Sequence, residues 1–398
     1  MMRSSLTQAM RPLAGPRTSV LPRSIRQFGS TPAYGFKAIF SETDNSELNE
    51  VLKTIQEKIV FPAYLPKLQR AKIFSPKSRA HIQQNPIVIE LDGLEHKFSF
   101  IDRFKEIPNS KKVLQTALKL MKTKEDWDNL GTLLAGYEKA NIKLAPFHYS
   151  QIIRHASRNE QIYSVVECVK QAKETGFTLN NTVHVIAVLN VFSSMITESN
   201  AEDARIQDAS KWTDIVLDLL ERPLHINKNE AKLDQAQFHP FVRGQVLFIK
   251  ASVAQDLKQR EQPAEKELSA VSDSAQALLS LWTQGVKKGE SLQVPASIVG
   301  MTAHRNTNSR GRSELSLSEL TQTVALNIKG MKMARELLGD AANGFKPMEK
   351  LLDEHLERGV ELNPKNGQRY ADIYAKILGK TPSWPCLVEQ AAKPTPEV

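Results

Sequence analysis

The sequence predicts an all-α protein, an α-solenoid of stacked helical hairpins preceded by a short N-terminal β-hairpin. Three observations lead there. Residues 111–145 and 146–180 are abutting units of equal length. Asn141 in the first and Gly176 in the second follow a long helical stretch, and each is trailed by matching apolar residues, Ile142 with Phe177 and Leu144 with Leu179. Within each unit the apolar residues fall into two stripes at helical spacing. A fixed period between about 20 and 50 residues marks units that bury their faces only by stacking on neighbours.

The start of the chain follows a different logic. Arg3, Arg11, Arg17, Arg23 and Arg26 are interspersed with serines, and no acidic residue occurs before Glu42. This is the composition of a transit peptide. Arg26-Gln27-Phe28 followed by Ser30-Thr31 resembles the context in which matrix presequences are cut, so residues 1–35 are expected to be a mitochondrial presequence removed between Phe28 and Gly35. The mitochondrial matrix is the expected location. The formal charge of the whole chain is +9, and without those five arginines it is +4. A mildly basic mature protein shifts any case for nucleic-acid binding from global charge to local patches. The two cysteines, Cys168 and Cys386, are too few and too distant for a disulfide framework or a cysteine zinc site. The longest apolar stretches fall short of the roughly 20 residues of a membrane span.

Residues 36–110 form the expected N-terminal arm. Residues 45–58 carry Leu48, Val51, Leu52 and Ile55 at helical spacing, with Ser46 as a candidate N-cap. A basic run follows with Lys67, Arg70, Lys72, Lys77 and Arg79, expected as an extended, phosphate-contacting segment. Ile87 to Leu91 is apolar and β-branched, Asp92-Gly93 is a two-residue turn signal, and Leu94, His96, Phe98 and Phe100 alternate with polar residues. These features predict a β-hairpin capping the open end of the helical stack. His96 is expected as a surface strand residue.

Helical repeats are expected over 111–288. In the first unit Leu114, Ala117, Leu118 and Met121 make one stripe and Trp127, Leu130, Leu134 and Tyr137 the other. In the second, Tyr149, Ile152, Ile153 and Ala156 are answered by Ile162, Val165, Val166, Val169 and Ala172. A third unit opens with Val183, Ile186, Val188, Leu189 and Phe192, and a polar insertion is expected over 193–210. Its second helix resumes at Trp212, which is expected to start that helix as Trp127 starts its own, both as core anchors. A fourth, degenerate unit is expected over 234–257 and 266–288. Residues 289–313 lose periodicity and predict a flexible basic loop carrying Arg305, Arg310 and Arg312. Helical repeats return over 314–380, where Gly359 to Asn363 copies the ending Gly176 to Asn180, and 381–398 is expected to be a frayed tail.

The 35-residue unit, with Tyr149 early in its first helix and Gly176-Phe177-Thr178-Leu179-Asn180 at its end, resembles a pentatricopeptide repeat. The resemblance is good over 146–180, moderate over 111–145 and 345–378, and poor elsewhere. It implies an organellar protein that binds single-stranded RNA on a concave face, with two side chains per repeat contacting a base. Carried over, those would be Ser150 and Asn180. Gln115 with Ala145 in the first unit lacks the terminal polar group, and Val185 in the third cannot hydrogen-bond.

No catalytic constellation accompanies the repeats. His148, His155 and His184 lack a nucleophile or carboxylate at useful spacing, and neither a glycine-rich phosphate loop nor a metal motif is present. The sequence therefore predicts a non-enzymatic matrix protein without cofactor or metal, acting in mitochondrial gene expression. Its expected partners are mitochondrial RNA, messenger or ribosomal, the mitochondrial ribosome, or both, with further protein partners. The alternative is a protein-binding scaffold or assembly factor, for a ribosome or a respiratory complex, without RNA contact.

Overall fold

Asn45 opens the first helix by accepting the Leu48 amide in its side chain, one residue ahead of the serine expected to do so. The protein is described from a computed structural model over residues 36–198, 204–231, 235–284, 290–301, 315–362 and 366–384. The expected presequence lies outside the described residues. Helix α1 (Ser46–Ile55) buries Leu48, Leu52 and Ile55. It continues through a π-helical turn at Gln56–Val60 into the short α2 (Phe61–Tyr64). Leu65 then turns extended, as a residue before proline must.

The basic run is not an extended arm. It folds as α3 (Lys67–Ile73), a 3-10 turn at Pro76–Ser78 and α4 (Arg79–Gln84). Each of these helices buries one side chain, Ile73 and Ile82, and Pro66 and Pro76 punctuate the starts. Strands β1 (Ile87–Leu91) and β2 (Leu94–Phe98) pair antiparallel with Ile87 opposite Phe98. Asp92 and Gly93 both take positive φ, 48° and 82°, which matches the twist of a two-residue hairpin. Phe100 lies beyond the paired strand. The hairpin does not cap the helical stack, contrary to expectation. Instead Phe98 joins Phe61, Leu65, Ile73, Ile82 and Ile101 in a small core of its own over α2, α3 and α4.

Next come α5 (Ser110–Leu120) and α6 (Lys124–Lys139), the latter opened by a capping box between Thr123 and Asp126. Then follow α7 (Pro146–Arg158), α8 (Ile162–Lys170) and a last turn, α9 (Ala172–Thr175). Asn141 and Gly176, the paired turn residues, both adopt left-handed backbone, with φ of 56° and 68°. Helices α10 (Thr182–Glu198) and α11 (Arg205–Leu220) make the third pair. Most of the expected 193–210 insertion is therefore helix, and Trp212 sits midway along α11. There its ring lies half-buried, 5.7 Å from Phe192 and 5.9 Å from Tyr163, while Trp127 is fully buried near the start of α6.

The C-terminal half contains α12 (Pro240–Gln259), α13 (Glu265–Thr283), α14 (Ala296–Met301), α15 (Leu317–Leu338), α16 (Phe345–Glu361) and α17 (Gly367–Leu378). Helix α14 falls inside the expected loop, because Ile298 and Met301 supply two apolar side chains that the core takes up. Gly359 does not end a helix. Its φ is not positive, α16 runs through it to Glu361, and Leu362 is exposed where Leu179 is fully buried, so the copy of the Gly176 ending is one of letters only. In the expected tail, Trp384 is buried against Tyr374, ring centroids 5.3 Å apart.

Helix α1 packs on α5, α6 on α8 and α9, and a row of packed helices runs from α7 to α10, α12, α15 and α17. Helix α10 also reaches α15 past α12, which a strict nearest-neighbour stack would not allow. Small residues make the tightest crossing. On α12, Gly244 leaves room for the Asn327 amide, and on α15, Gly330 lets the Phe248 backbone approach. Between α10, α12 and α15, Asn190 donates to the Thr323 hydroxyl at 3.1 Å and accepts from the Gln245 amide at 2.5 Å, all three buried. A polar cluster of this kind fixes the relative rotation of three helices that apolar packing alone would leave free to slide.

Candidate nucleic-acid interface

The N-terminal helices place cations where carboxylates are missing. From Lys58 to Ile89 the chain has six Lys or Arg residues and no Asp or Glu. Lys67, Lys72, Lys77 and Arg79 are exposed and Arg70 is half-buried. Arg79 lies over the Phe100 ring at 5.7 Å, which ties α4 to the segment after β2. Arg70 and Phe74 line a small cleft of about 220 Å3 with Pro62, Ile107 and Pro108. Among the described residues, none of the five cations singled out from α3 to α4, Lys77 in the turn between them included, has an ion-pair partner. Unpaired exposed cations gathered on short helices suit phosphate oxygens.

A turn over 102–107 completes this surface. The Ile101 amide donates to the Ile73 carbonyl at 2.9 Å, so the turn begins against the end of α3. Asp102 accepts the amides of Phe104 and Lys105 at 2.9 and 3.3 Å, while Glu106 accepts from the Lys58 ammonium at 2.9 Å and from the Asp102 amide at 3.3 Å. The Lys58 hydrogen bond holds the Glu106 carboxyl below its ordinary range. Both acids of the turn are thus engaged, Asp102 by backbone amides of the turn and Glu106 by the Lys58 ammonium at the surface. Arg103 stacks over the Phe74 ring at 4.7 Å, and Phe104 stands 97% exposed. Sequence reasoning does not single out these two residues. The signal it could have used is an aromatic between two cations, Arg103 and Lys105, after an aspartate that closes a turn.

Beside it, His96 of β2 is half-buried, between Phe61 at 4.9 Å and Phe98 at 4.7 Å, and this burial lowers its pKa. It is an aromatic spacer under the hairpin.

The residues expected to read a base lie elsewhere. Asn180 is exposed at a cleft of about 570 Å3 lined also by Pro146, Tyr149, His184 and His239. The Ser150 hydroxyl points back to the Pro146 carbonyl at 3.4 Å, a poor hydrogen bond on the same helix. Tyr149 donates to the Gly176 carbonyl at 3.2 Å, and burial pushes its pKa up to about 12. His184 is buried, is lowered in pKa by that burial, and holds the Pro146 carbonyl at 2.9 Å. The His184 contact fastens the second unit to the third, and the Tyr149 contact closes the second unit on itself. Gln115, the corresponding residue of the first unit, hydrogen-bonds Gln151 at 3.2 Å, and Val185 is fully buried in the core. Arg305, Arg310 and Arg312 lie outside the described residues.

Chemistry other than binding finds little footing. No group of histidines, cysteines and carboxylates suited to a metal occurs among the described residues. The Cys168 thiol is buried, which raises its pKa and keeps it a poor nucleophile. No described helix is long and apolar enough to cross a membrane.

Comparison with known proteins adds what geometry alone does not give. The chain is similar to the small ribosomal subunit protein mS27 of Neurospora crassa, 30% identical over 255 residues. That match covers 61% of this chain and 64% of the relative, so it spans somewhat less than two thirds of the relative's length. The family model described as mitochondrial ribosomal protein mS27 matches residues 26–376, nearly the whole of the helical body, and on that extent the chain belongs to the mS27 family of mitochondrial ribosomal proteins.

Proposed function

We propose that this chain is a structural, non-catalytic component of the small subunit of the mitochondrial ribosome. It works in mitochondrial translation and lies in the matrix after loss of residues 1–35. The observation that carries this reading is the extent of the family match, residues 26–376, which takes in the basic N-terminal helices and the helical body together. A ribosomal constituent meets RNA and protein at once. The basic surface of α3 and α4 is assigned to ribosomal RNA phosphates, and the helical pairs to protein neighbours.

The helical body is proposed to be a solenoid whose first two units are pentatricopeptide-like. The matched left-handed residues Asn141 and Gly176 support this, as does the row of packed helices from α7 to α17. Base reading by Ser150 and Asn180 is the weaker part of the proposal. One polar pair in three inspected units gives too few hydrogen bonds to read a long RNA, whereas phosphate contacts by Lys67, Arg70, Lys72, Lys77 and Arg79, joined by Arg305, Arg310 and Arg312, need no sequence. Ultraviolet crosslinking in intact organelles, followed by sequencing of the attached RNA, tests the reading. Crosslinks concentrated in small-subunit ribosomal RNA are expected, and crosslinks spread over messenger RNAs, or none, would overturn it.

A further inference from the structure

We infer that Phe104 is a stacking platform for an unpaired base of single-stranded RNA, with the cations around it holding the phosphates on either side. The inference rests on the reading that this chain contacts RNA, and it names where and how.

A phenylalanine at 97% exposure is the most exposed of the large apolar side chains in the described structure. Flexibility does not account for it. The turn that presents the ring is pinned at four places: Ile101 to the Ile73 carbonyl, Asp102 to the amides of Phe104 and Lys105, Glu106 to Lys58, and Arg103 on the Phe74 ring. The ring is therefore held out, within a turn that these contacts fix. Its surroundings say what it is held out for. Arg103 and Lys105 flank it in sequence, both exposed; Arg70 lines a cleft with the Phe74 ring on which Arg103 stacks, and Arg79 lies over the Phe100 ring. The two nearest acids in the sequence are already engaged, Asp102 by the Phe104 amide and Glu106 by the Lys58 ammonium. A protein groove that accepts one phenylalanine has no need of cations on each side. A nucleotide strand does, because its bases offer π-faces to an aromatic ring while its phosphates seek positive charge. The base must be unpaired, since bases within an A-form duplex are not open to stacking from outside.

The test titrates the full chain against fluorescein-labelled oligoadenylate and oligouridylate at low salt. Phe104→Ala should weaken binding by about 5- to 150-fold, the range for loss of one stacked base. The salt dependence should stay unchanged, because no charge is removed. Phe104→Trp should retain binding, and its indole fluorescence should be quenched by oligoadenylate beyond any change seen in the wild-type chain. The exposure of this position leaves folding intact in either variant, which circular dichroism checks. If wild type and Phe104→Ala bind alike, the stacking role is overturned while phosphate contact by the basic helices stands. If the wild-type chain binds neither RNA, the RNA reading itself fails, and the stacking role with it.

Discussion

Gly330 holds the point at which two long helices touch. A Cβ built there would lie 2.8 Å from the Phe248 nitrogen and 2.9 Å from its Cα, and backbone atoms cannot swing aside as a side chain can. Gly330→Ala should therefore push α12 and α15 apart and cost about 3 kcal/mol, at the upper end of what overpacking a core produces. Gly359 is the opposite case. It lies inside α16 with helical backbone, and an added Cβ would meet only the Leu317 methyl at an ordinary 3.4 Å. Gly359→Ala should stabilise by about 0.5–1 kcal/mol through helix propensity. Urea unfolding midpoints of the two variants check both signs. The pair also shows what single residues disclose. Gly176 and Asn141 are recognisable as left-handed because each follows a full helical stripe and precedes a matching apolar pair. Gly359 carries the same letters, but a longer helical stripe through Leu352, Leu356 and Val360 keeps the helix intact past it. Helix ends are decided by where burial stops, and that is a tertiary fact.

The elements of the N-terminal region show a similar division. The hairpin is legible, since Asp92-Gly93 can take two positive φ values between two apolar strands. Helices α3 and α4 are not. Seven and six residues with one buried side chain each are too short for a 3.6-residue period to declare itself, so a basic run between prolines resembles an extended arm. The cations survive that revision and gain a rigid mount. Changing Lys67, Arg70, Lys72, Lys77 and Arg79 together to alanine should weaken single-stranded RNA binding for every sequence alike. The slope of log affinity against log salt should become shallower by about 0.7 for each phosphate that is no longer neutralised. Ser150→Ala with Asn180→Ala should leave both quantities nearly unchanged, since the Ser150 hydroxyl is directed at its own helix. Filter binding over a salt series separates the two. Phe104 escapes the sequence because exposure of an aromatic depends on what packs around it, and here Phe74, Phe98 and Phe100 belong to neighbouring elements while Phe104 stands apart.

At the scale of the whole molecule, one continuous core runs from Leu48 in α1 to Trp384 beyond α17. Helical pairing is anticipated by the sequence, since amphipathic stripes announce which faces must be buried. The reach of α10 to α15 is not, because the buried Asn190, Gln245 and Thr323 that join those helices are separated by long stretches of chain. The family match points to a constituent of a larger particle. An assembly factor would differ by leaving when its particle matures. Density-gradient sedimentation of organelle lysate carrying a tagged copy of the chain distinguishes the two most directly. The chain should migrate in equal ratio with the RNA and proteins of the mature small ribosomal subunit, and remain with that subunit in translating ribosomes. Recovery only near the top of the gradient, or only with immature particles in substoichiometric amount, would contradict its assignment as a ribosomal constituent.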